Sequence, residues 1–468
     1  MGETPVELKL KIAELPSLLG APLCGAPSDA LDRDVDLCLD SRLAGEGSVF
    51  LALRGERFDG HDFVRQVLAK GAVMAIVDEK WVAAQKGEIG AYVPVKDTGE
   101  ALLRLAAGYA KRFSVRRIAV TGSNGKTTTK EMIDAILSRR WNGIATEGNY
   151  NNQVGVPLTL FRLRHEHRYA VVEMGTNHPG EIAPLSNAVQ PDVALITMVG
   201  DSHLEFFGDR AGVFREKSSI AQGLRPGGWL VVNADDDMLC RLRSTSRHKL
   251  MTFGVERGQV RPKNLTWDDD ACARFTIGRT EFRLGVPGMH CLYDALGAIA
   301  VGTLFKIPKG EMAAALRGFR GADLRMQLRE CNGVRVAADC YNANPTSMRA
   351  ALATVGRMRA AGDRVAVLGD MLELGEGARG MHAEMGELVA ANGFDRLVTV
   401  GSLSEAIGEA AVRRGLPAER WTRCADAAEA IAALEKTVNP GDLVLVKASH
   451  SMHLERVVEA LGTKEERR

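Results

Sequence analysis

Residues 122–128 read Gly-Ser-Asn-Gly-Lys-Thr-Thr and lie between a short apolar strand, 118–120, and a run with helical spacing, Met132, Ile133, Ile136 and Leu137. Strand, glycine-bounded turn and helix in that order form the opening unit of a parallel α/β sheet. The turn is also chemically specific. Its glycines let backbone N–H groups crowd a polyphosphate, its lysine neutralises charge, the first threonine hydroxyl reaches Mg²⁺, and the helix N-terminus adds a favourable dipole. Gly122, Ser123, Asn124, Gly125, Lys126, Thr127 and Thr128 are therefore expected to bind a nucleoside triphosphate, with Thr127 on the metal. One position departs from the usual loop, which has glycine where this chain has Val120.

With 468 residues the chain has room for two to four domains. Its 60 basic and 59 acidic residues nearly cancel, so the global charge suggests neither nucleic acid nor an anionic membrane as partner. The eight cysteines contain no C-x-x-C pair, which argues for reduced thiols rather than disulfides or structural zinc. No apolar run reaches the roughly 18 residues of a membrane span. A soluble cytoplasmic protein without membrane insertion is expected.

Three textures follow one another. Up to residue 97, short apolar runs such as 49–53 and 75–77 alternate with turn signals, which suggests a small α/β module. From 98 to 327, apolar runs of four to six residues lead repeatedly into polar loops, as at Glu173, at 200–203 and at Asn233. Such runs fit buried parallel strands, and open α/β sheets bind ligands just past their carboxyl ends. Alternation near 275–286 predicts an antiparallel hairpin appended to that sheet. From 328 to 468 the rhythm restarts, with strands expected at 334–338, 365–368, 397–400 and 443–446 and helices between them, a second doubly wound domain.

Glu173 and His203 each follow a buried-type strand, and a carboxylate and an imidazole on one sheet edge can share Mg²⁺ with phosphate oxygens. Spacing alone favours a plainer reading, a solvated glutamate and a loop histidine. Two amide-rich runs stand out, 148–153 (Gly-Asn-Tyr-Asn-Asn-Gln) and 339–345 (Asp-Cys-Tyr-Asn-Ala-Asn-Pro). Neutral amides both donate and accept, which suits a polar substrate and equally suits a tight turn. Two such runs on facing domains suggest a cleft.

Taken together, residues 122–128, the Gly-Asn-Tyr-Asn-Asn run, Glu173-Met174-Gly175, His203, the Asn-Ala-Asn-Pro run and Gly369-Asp370-Met371-Leu372-Glu373-Leu374-Gly375 closely resemble the Mur ligases. Asp40-Ser41-Arg42, Gly47, residues 50–53 and Asp59-Gly60-His61 extend the likeness to the N-terminus, and the shortened phosphate loop is general to Mur and folylpolyglutamate ligases. The Asn-Tyr-Asn-Asn, Asn-Ala-Asn-Pro and Asp-Met-Leu-Glu-Leu-Gly strings resemble the members that add D-alanyl-D-alanine to UDP-N-acetylmuramoyl-tripeptide.

The resemblance implies three α/β domains: 1–97 for the UDP-muramoyl peptide, a central P-loop ATPase-type parallel sheet with a small β appendage at 98–327, and a Rossmann-like domain at 328–468 for the incoming dipeptide. It implies a monomeric ATP-dependent ligase that activates the tripeptide carboxylate as an acyl phosphate. Lys126, Lys217 and His203 take catalytic roles, and Thr127, Glu173, His203 and Lys217 hold two Mg²⁺ ions, Lys217 as a CO₂-derived carbamate. ATP would also meet His290, Asp294, Arg325, Asp339 and Asn342. Ser41, Arg42, Asn149, Asn151, Asn152, Asn344, Lys447 and Ser449 would contact the other substrates. A sibling amide ligase, or a nucleotide switch that hydrolyses ATP without ligation, is the alternative.

Two places depart from the family pattern. His290-Cys291-Leu292-Tyr293-Asp294-Ala295 stands where His-Asn-x-x-Asn-Ala is common. Ionised, Asp294 only accepts hydrogen bonds where an asparagine would also donate, so the loop assigns the phosphates more firmly than this position assigns adenine, and a comparison of ATP with GTP decides the base. Near the C-terminus, His450 and His453 occupy basic positions of the family's Lys-Gly-Ser-Arg form. If they meet the dipeptide carboxylate, its KM should rise between about pH 6 and 8, where an unperturbed imidazole loses its proton.

Overall fold

The computed structural model describes residues 6–55, 58–201 and 204–462. Three sheets of five or six strands carry the fold. The N-terminal sheet runs in chain order through Val6–Lys11, Asp34–Cys38, Ser48–Leu51, Met74–Asp78 and Tyr92–Val95, antiparallel at the first pair and parallel thereafter. Helix Thr98–Ala110 follows; its Leu102, Leu105 and Tyr109 share one apolar cluster with Val93 of that sheet and with Leu160 and Leu185 of central helices. One continuous core therefore joins the first two regions.

The central sheet is parallel throughout, in the order Lys249–Phe253, Trp229–Asn233, Val193–Ile196, Arg116–Thr121, Tyr169–Glu173 and Gly143–Ala145. The strand ahead of the phosphate loop lies between those that end at Glu173 and at Ile196, so three polar loops converge at one carboxyl edge. Helices Lys126–Leu137 and Met289–Leu304 cover one face through Ile133, Ile136, Leu296 and Ile299. The expected hairpin forms as Cys272–Ile277 with Thr280–Pro287, but a third strand, Lys263–Trp267, completes it. That edge strand is mostly solvent-facing, so it shows no buried alternation in the sequence.

In the last domain the order is Gln327–Cys331, Val334–Ala338, Leu443–Lys447, Arg364–Gly369, Arg396–Val400 and Trp421–Cys424, with the first pair antiparallel and the rest parallel. The last strand of the chain thus inserts between the second and fourth, which brings Lys447 beside Asp339. The two flanking strands, 327–331 and 421–424, were not expected from sequence; their partly exposed, charge-bearing residues hide the apolar run. Among the described residues no helix is long and apolar enough to cross a membrane.

Candidate functional site

A cavity of about 990 Å³ opens where the three sheets meet. Its floor is the 122–128 loop. Val120 is fully buried in the sheet, paired with Glu173, so the strand continues to Thr121 and the turn begins at Gly122. The loop is short because the strand is long. Gly122 (φ +148°) passes Thr197 so closely that a Cβ would fall 1.8 Å from its hydroxyl, and at Gly125 (φ +79°) a Cβ would fall 2.1 Å from Asp294 Oδ1. Both glycines are required by contact as well as by backbone conformation.

Lys126 begins the helix and donates to the carbonyls of Gly122 (2.9 Å) and Ser123 (3.4 Å), so it sits inside the phosphate cradle. Burial lowers its pKa, with Glu173 opposing the shift. Glu173 is 1% exposed; its Oε1 accepts from Asn151 Nδ2 at 2.8 Å, while Oε2 has no hydrogen-bond partner among the described residues. The Thr127 hydroxyl is likewise buried and has no hydrogen-bond partner among the described residues. A carboxylate oxygen and a hydroxyl left unsatisfied beside a polyphosphate cradle fit Mg²⁺, which takes one or two protein oxygens plus phosphate oxygens. Among the described residues no three His, Cys, Asp or Glu side chains form a metal cage of their own. His203 lies outside the described residues.

Lys217, on helix Arg210–Ser218, is 1% exposed, and its side chain makes no hydrogen bond or ion pair among the described residues. Burial holds its pKa well below the usual lysine range, and Lys126 pushes it further down. Next to it, the Glu216 carboxylate accepts from the backbone of Gly180 (2.7 Å) and Ile182 (2.8 Å), which fixes the helix against the loop after Glu173.

The C-terminal domain closes the cavity. Asn344 caps helix Pro345–Arg357 by accepting from Ser347 N at 2.9 Å, and exchanges hydrogen bonds with Asn124 of the phosphate loop at 2.8 and 3.3 Å. Lys447, 2% exposed, donates to Asp339 Oδ2 (2.7 Å) and to the carbonyls of Asp339 (3.2 Å) and Asn342 (3.0 Å). Its three donors are committed to holding that turn. Arg325 lies 4.0 Å over the Tyr341 ring, and both line the cavity with Asp339, Asn342 and His290.

Other expected residues lie apart. Arg42 is exposed and ion-paired with Asp40, and neither Ser41 nor Arg42 lines the cavity. Ser449 is buried and accepts from Leu372 N at 3.0 Å, which ties the last turn to the 369–375 string. His450 packs its ring 5.3 Å from Tyr341, and His453 Nδ1 lies 3.1 Å from Glu455; neither lines the cavity. Sequence reasoning missed Arg54, which reaches the cavity from the N-terminal domain, and Asp236, whose carboxylate accepts from Val199 N at 2.7 Å and fixes the loop after Ile196. Asp236 carried a signal, since it follows a buried strand end.

Family models described as the Mur ligase family catalytic domain, the Mur ligase middle domain and the Mur ligase glutamate ligase domain match residues 37–110, 120–302 and 324–450. The chain belongs to the Mur ligase family. Within that family it is 35% identical over 426 residues to the UDP-N-acetylmuramoyl-tripeptide–D-alanyl-D-alanine ligase of Bacillus subtilis, covering 90% of this chain and 92% of that one. The Escherichia coli protein of the same name is 36% identical, covering 97% and 98%. Among solved structures, MurF from Acinetobacter baumannii superposes with a TM-score of 0.87 at 33% identity, covering 98% of this chain and 100% of that one. A Mur ligase of the same kind from Thermotoga maritima, solved in complex with ADP, gives 0.79 at 28% identity, covering 92% and 98%.

Proposed function

We infer that this chain is the ATP-dependent ligase that joins D-alanyl-D-alanine to UDP-N-acetylmuramoyl-tripeptide, releasing ADP and phosphate and supplying the pentapeptide precursor of peptidoglycan. The observation that carries the reading is the single cavity in which the phosphate loop, the unsatisfied Thr127 and Glu173 oxygens and the Asn344 turn of the last domain meet. It brings a triphosphate and an acceptor-side domain within reach of each other. The reaction consumes ATP, which is the ground for placing it in the cytoplasm.

The tripeptide's terminal carboxylate attacks the γ-phosphorus, giving an acyl phosphate and ADP. The dipeptide amine then attacks that carbonyl, and the tetrahedral intermediate expels phosphate. Lys126 stabilises charge on the transferred phosphoryl group, and the loop N–H groups hold the remaining phosphates in line. Thr127 and Glu173, with His203, are the residues that would hold Mg²⁺, which neutralises phosphate charge when bound. The Asn124–Asn344 contact draws the last domain over the phosphate loop, which orients the amine and excludes water that would hydrolyse the acyl phosphate.

Lys217 would carry the carbamate. Its support is burial with no ion pair among the described residues, which favours the neutral amine against the pull of Glu216, Glu181 and Glu173; the neutral amine is the form that adds to CO₂ with loss of a proton. A ¹³C-bicarbonate NMR signal present in the wild type and absent in Lys217→Ala is expected; full activity in that variant without any bicarbonate response rejects the role.

The test of the whole reading is phosphate release with each substrate omitted in turn, and mass spectrometry of the product. Release should require both UDP-tripeptide and D-alanyl-D-alanine. Release without the dipeptide would instead indicate a nucleotide switch. Offering diaminopimelate- and lysine-containing tripeptides identifies the third residue of the acceptor.

A further inference from the structure

The ligation scheme leaves one buried acid in the cavity unused. Asp294, in the second turn of helix Met289–Leu304, is 6% exposed and lines the cavity. Its Oδ1 accepts from the Thr129 hydroxyl at 3.1 Å, and its carboxyl fills the space a side chain at Gly125 would need, where a Cβ would fall 2.1 Å from Oδ1 and 3.1 Å from Oδ2. No lysine or arginine forms an ion pair with it among the described residues. The cations nearby are otherwise engaged: Arg325 lies on Tyr341, and Lys126 is turned to its own loop. On its own helix, His290 is partly buried and desolvation lowers its pKa, Cys291 is a buried thiol whose pKa is raised by burial, and Tyr293 donates to Asp235 at 3.0 Å. Burial pushes the Asp294 carboxyl up to about 8, with Thr129 and Arg325 drawing it only partly back.

We propose that Asp294 works as a carboxylic acid rather than a carboxylate, and reads the nucleotide base as an amide would, accepting with one oxygen and donating with the other. The proposal rests on the ATP reading above and reverses the sequence expectation that an aspartate here can only accept. A neutral carboxyl presents a carbonyl beside a hydroxyl. Adenine presents a donor (N6) beside an acceptor (N7), which a neutral acid complements; guanine presents two acceptors, N7 and O6, and an ionised carboxylate complements neither edge. The Thr129 hydroxyl holds the carboxyl in the space left by the missing side chain of Gly125, so the acid is seated on the phosphate loop itself.

The test is the affinity of the intact enzyme for ATP and for inorganic tripolyphosphate between pH 6.5 and 9.5, in the wild type and in Asp294→Asn. In the wild type, ATP affinity should fall roughly tenfold or more above pH 8, approaching tenfold per pH unit as the acid ionises. Tripolyphosphate, which has no base, should lose less over the same range, and its loss measures Lys126 together with the charge that Asp294 gains beside the loop. In Asp294→Asn the ATP profile should lose only what tripolyphosphate loses. Equal slopes for ATP and tripolyphosphate in the wild type would overturn the proposal, a comparison that needs no variant to fold. An Asn variant as steep as the wild type would overturn it as well. Failure of both ligands to bind at every pH would reject the nucleotide site itself, and the Asp294 role with it.

Discussion

The turns at 148–153 and 339–345 are both rich in asparagine and both face the cavity, yet they use their amides differently. In the first, Asn151 donates to Glu173 and Asn152 accepts from the N–H groups of Val154 and Gly155, which fixes the helix Gly155–Phe161; all of this lies within one domain. In the second, Asn344 caps its own helix and also reaches Asn124 of another domain, while the Asn342 carbonyl receives Lys447. One turn shapes a carboxylate for a cation, and the other fastens two domains. An amide is equally good at either task, so composition could not separate them; the partner decides.

The largest effect that would sharpen this contrast is on Glu173. Glu173→Gln keeps an oxygen for Asn151 and removes only the charge, so stability should hold while kcat falls by roughly a hundred- to a thousandfold, as for other losses of a group that stabilises transition-state charge. Phosphate-release kinetics and a thermal melt check both halves, and near-normal turnover would remove Glu173 from the cation site.

Lys447→Met attacks the second turn. It leaves the largely buried Asp339 carboxylate without its cation, with only the Met326 N–H still donating to it, and breaking a buried pair costs about 3–5 kcal/mol. Urea unfolding of the variant reads this loss. A stable protein with only a raised dipeptide KM would mean that Lys447 contacts substrate instead.

Smaller still is Asn344→Ala, expected to cost about 1 kcal/mol through the lost helix cap. A double-mutant cycle with Asn124→Ala should add a coupling of about 0.5–1.5 kcal/mol, the net worth of a hydrogen bond. Zero coupling in activity and stability would break the idea of a fastening between domains. Asn152→Ala should cost a similar cap but show no coupling to Asn344, because its bonds are local.

The phosphate loop was legible because its parts are contiguous: strand, glycines, lysine, threonine and helix lie within about twenty residues of one another in the chain. Glu173 was legible as a position, being the polar end of an apolar strand, though the spacing favoured a solvated side chain until the structure buried it to 1% exposure. Lys447 was read as a substrate contact from its motif. Its partners come from a strand more than a hundred residues earlier, which only the insertion of Leu443–Lys447 into the middle of the sheet brings alongside. The last turn's histidines could be placed only by the structure, where the rings lie beside Tyr341 and Glu455 and outside the cavity lining.

The sequence by itself determined the parallel sheets, the phosphate cradle, the family and the types of groups available for acyl activation, because those depend on local pattern and on side-chain chemistry. Only the tertiary structure decided which of those groups are buried and against what. That is why Val120 is a strand residue rather than a loop defect, why Asn344 answers to Asn124, and why burial without a cation favours the neutral form of Asp294. Burial and pairing set protonation and hydrogen-bond commitment, and both are properties of neighbours that the chain order does not place side by side.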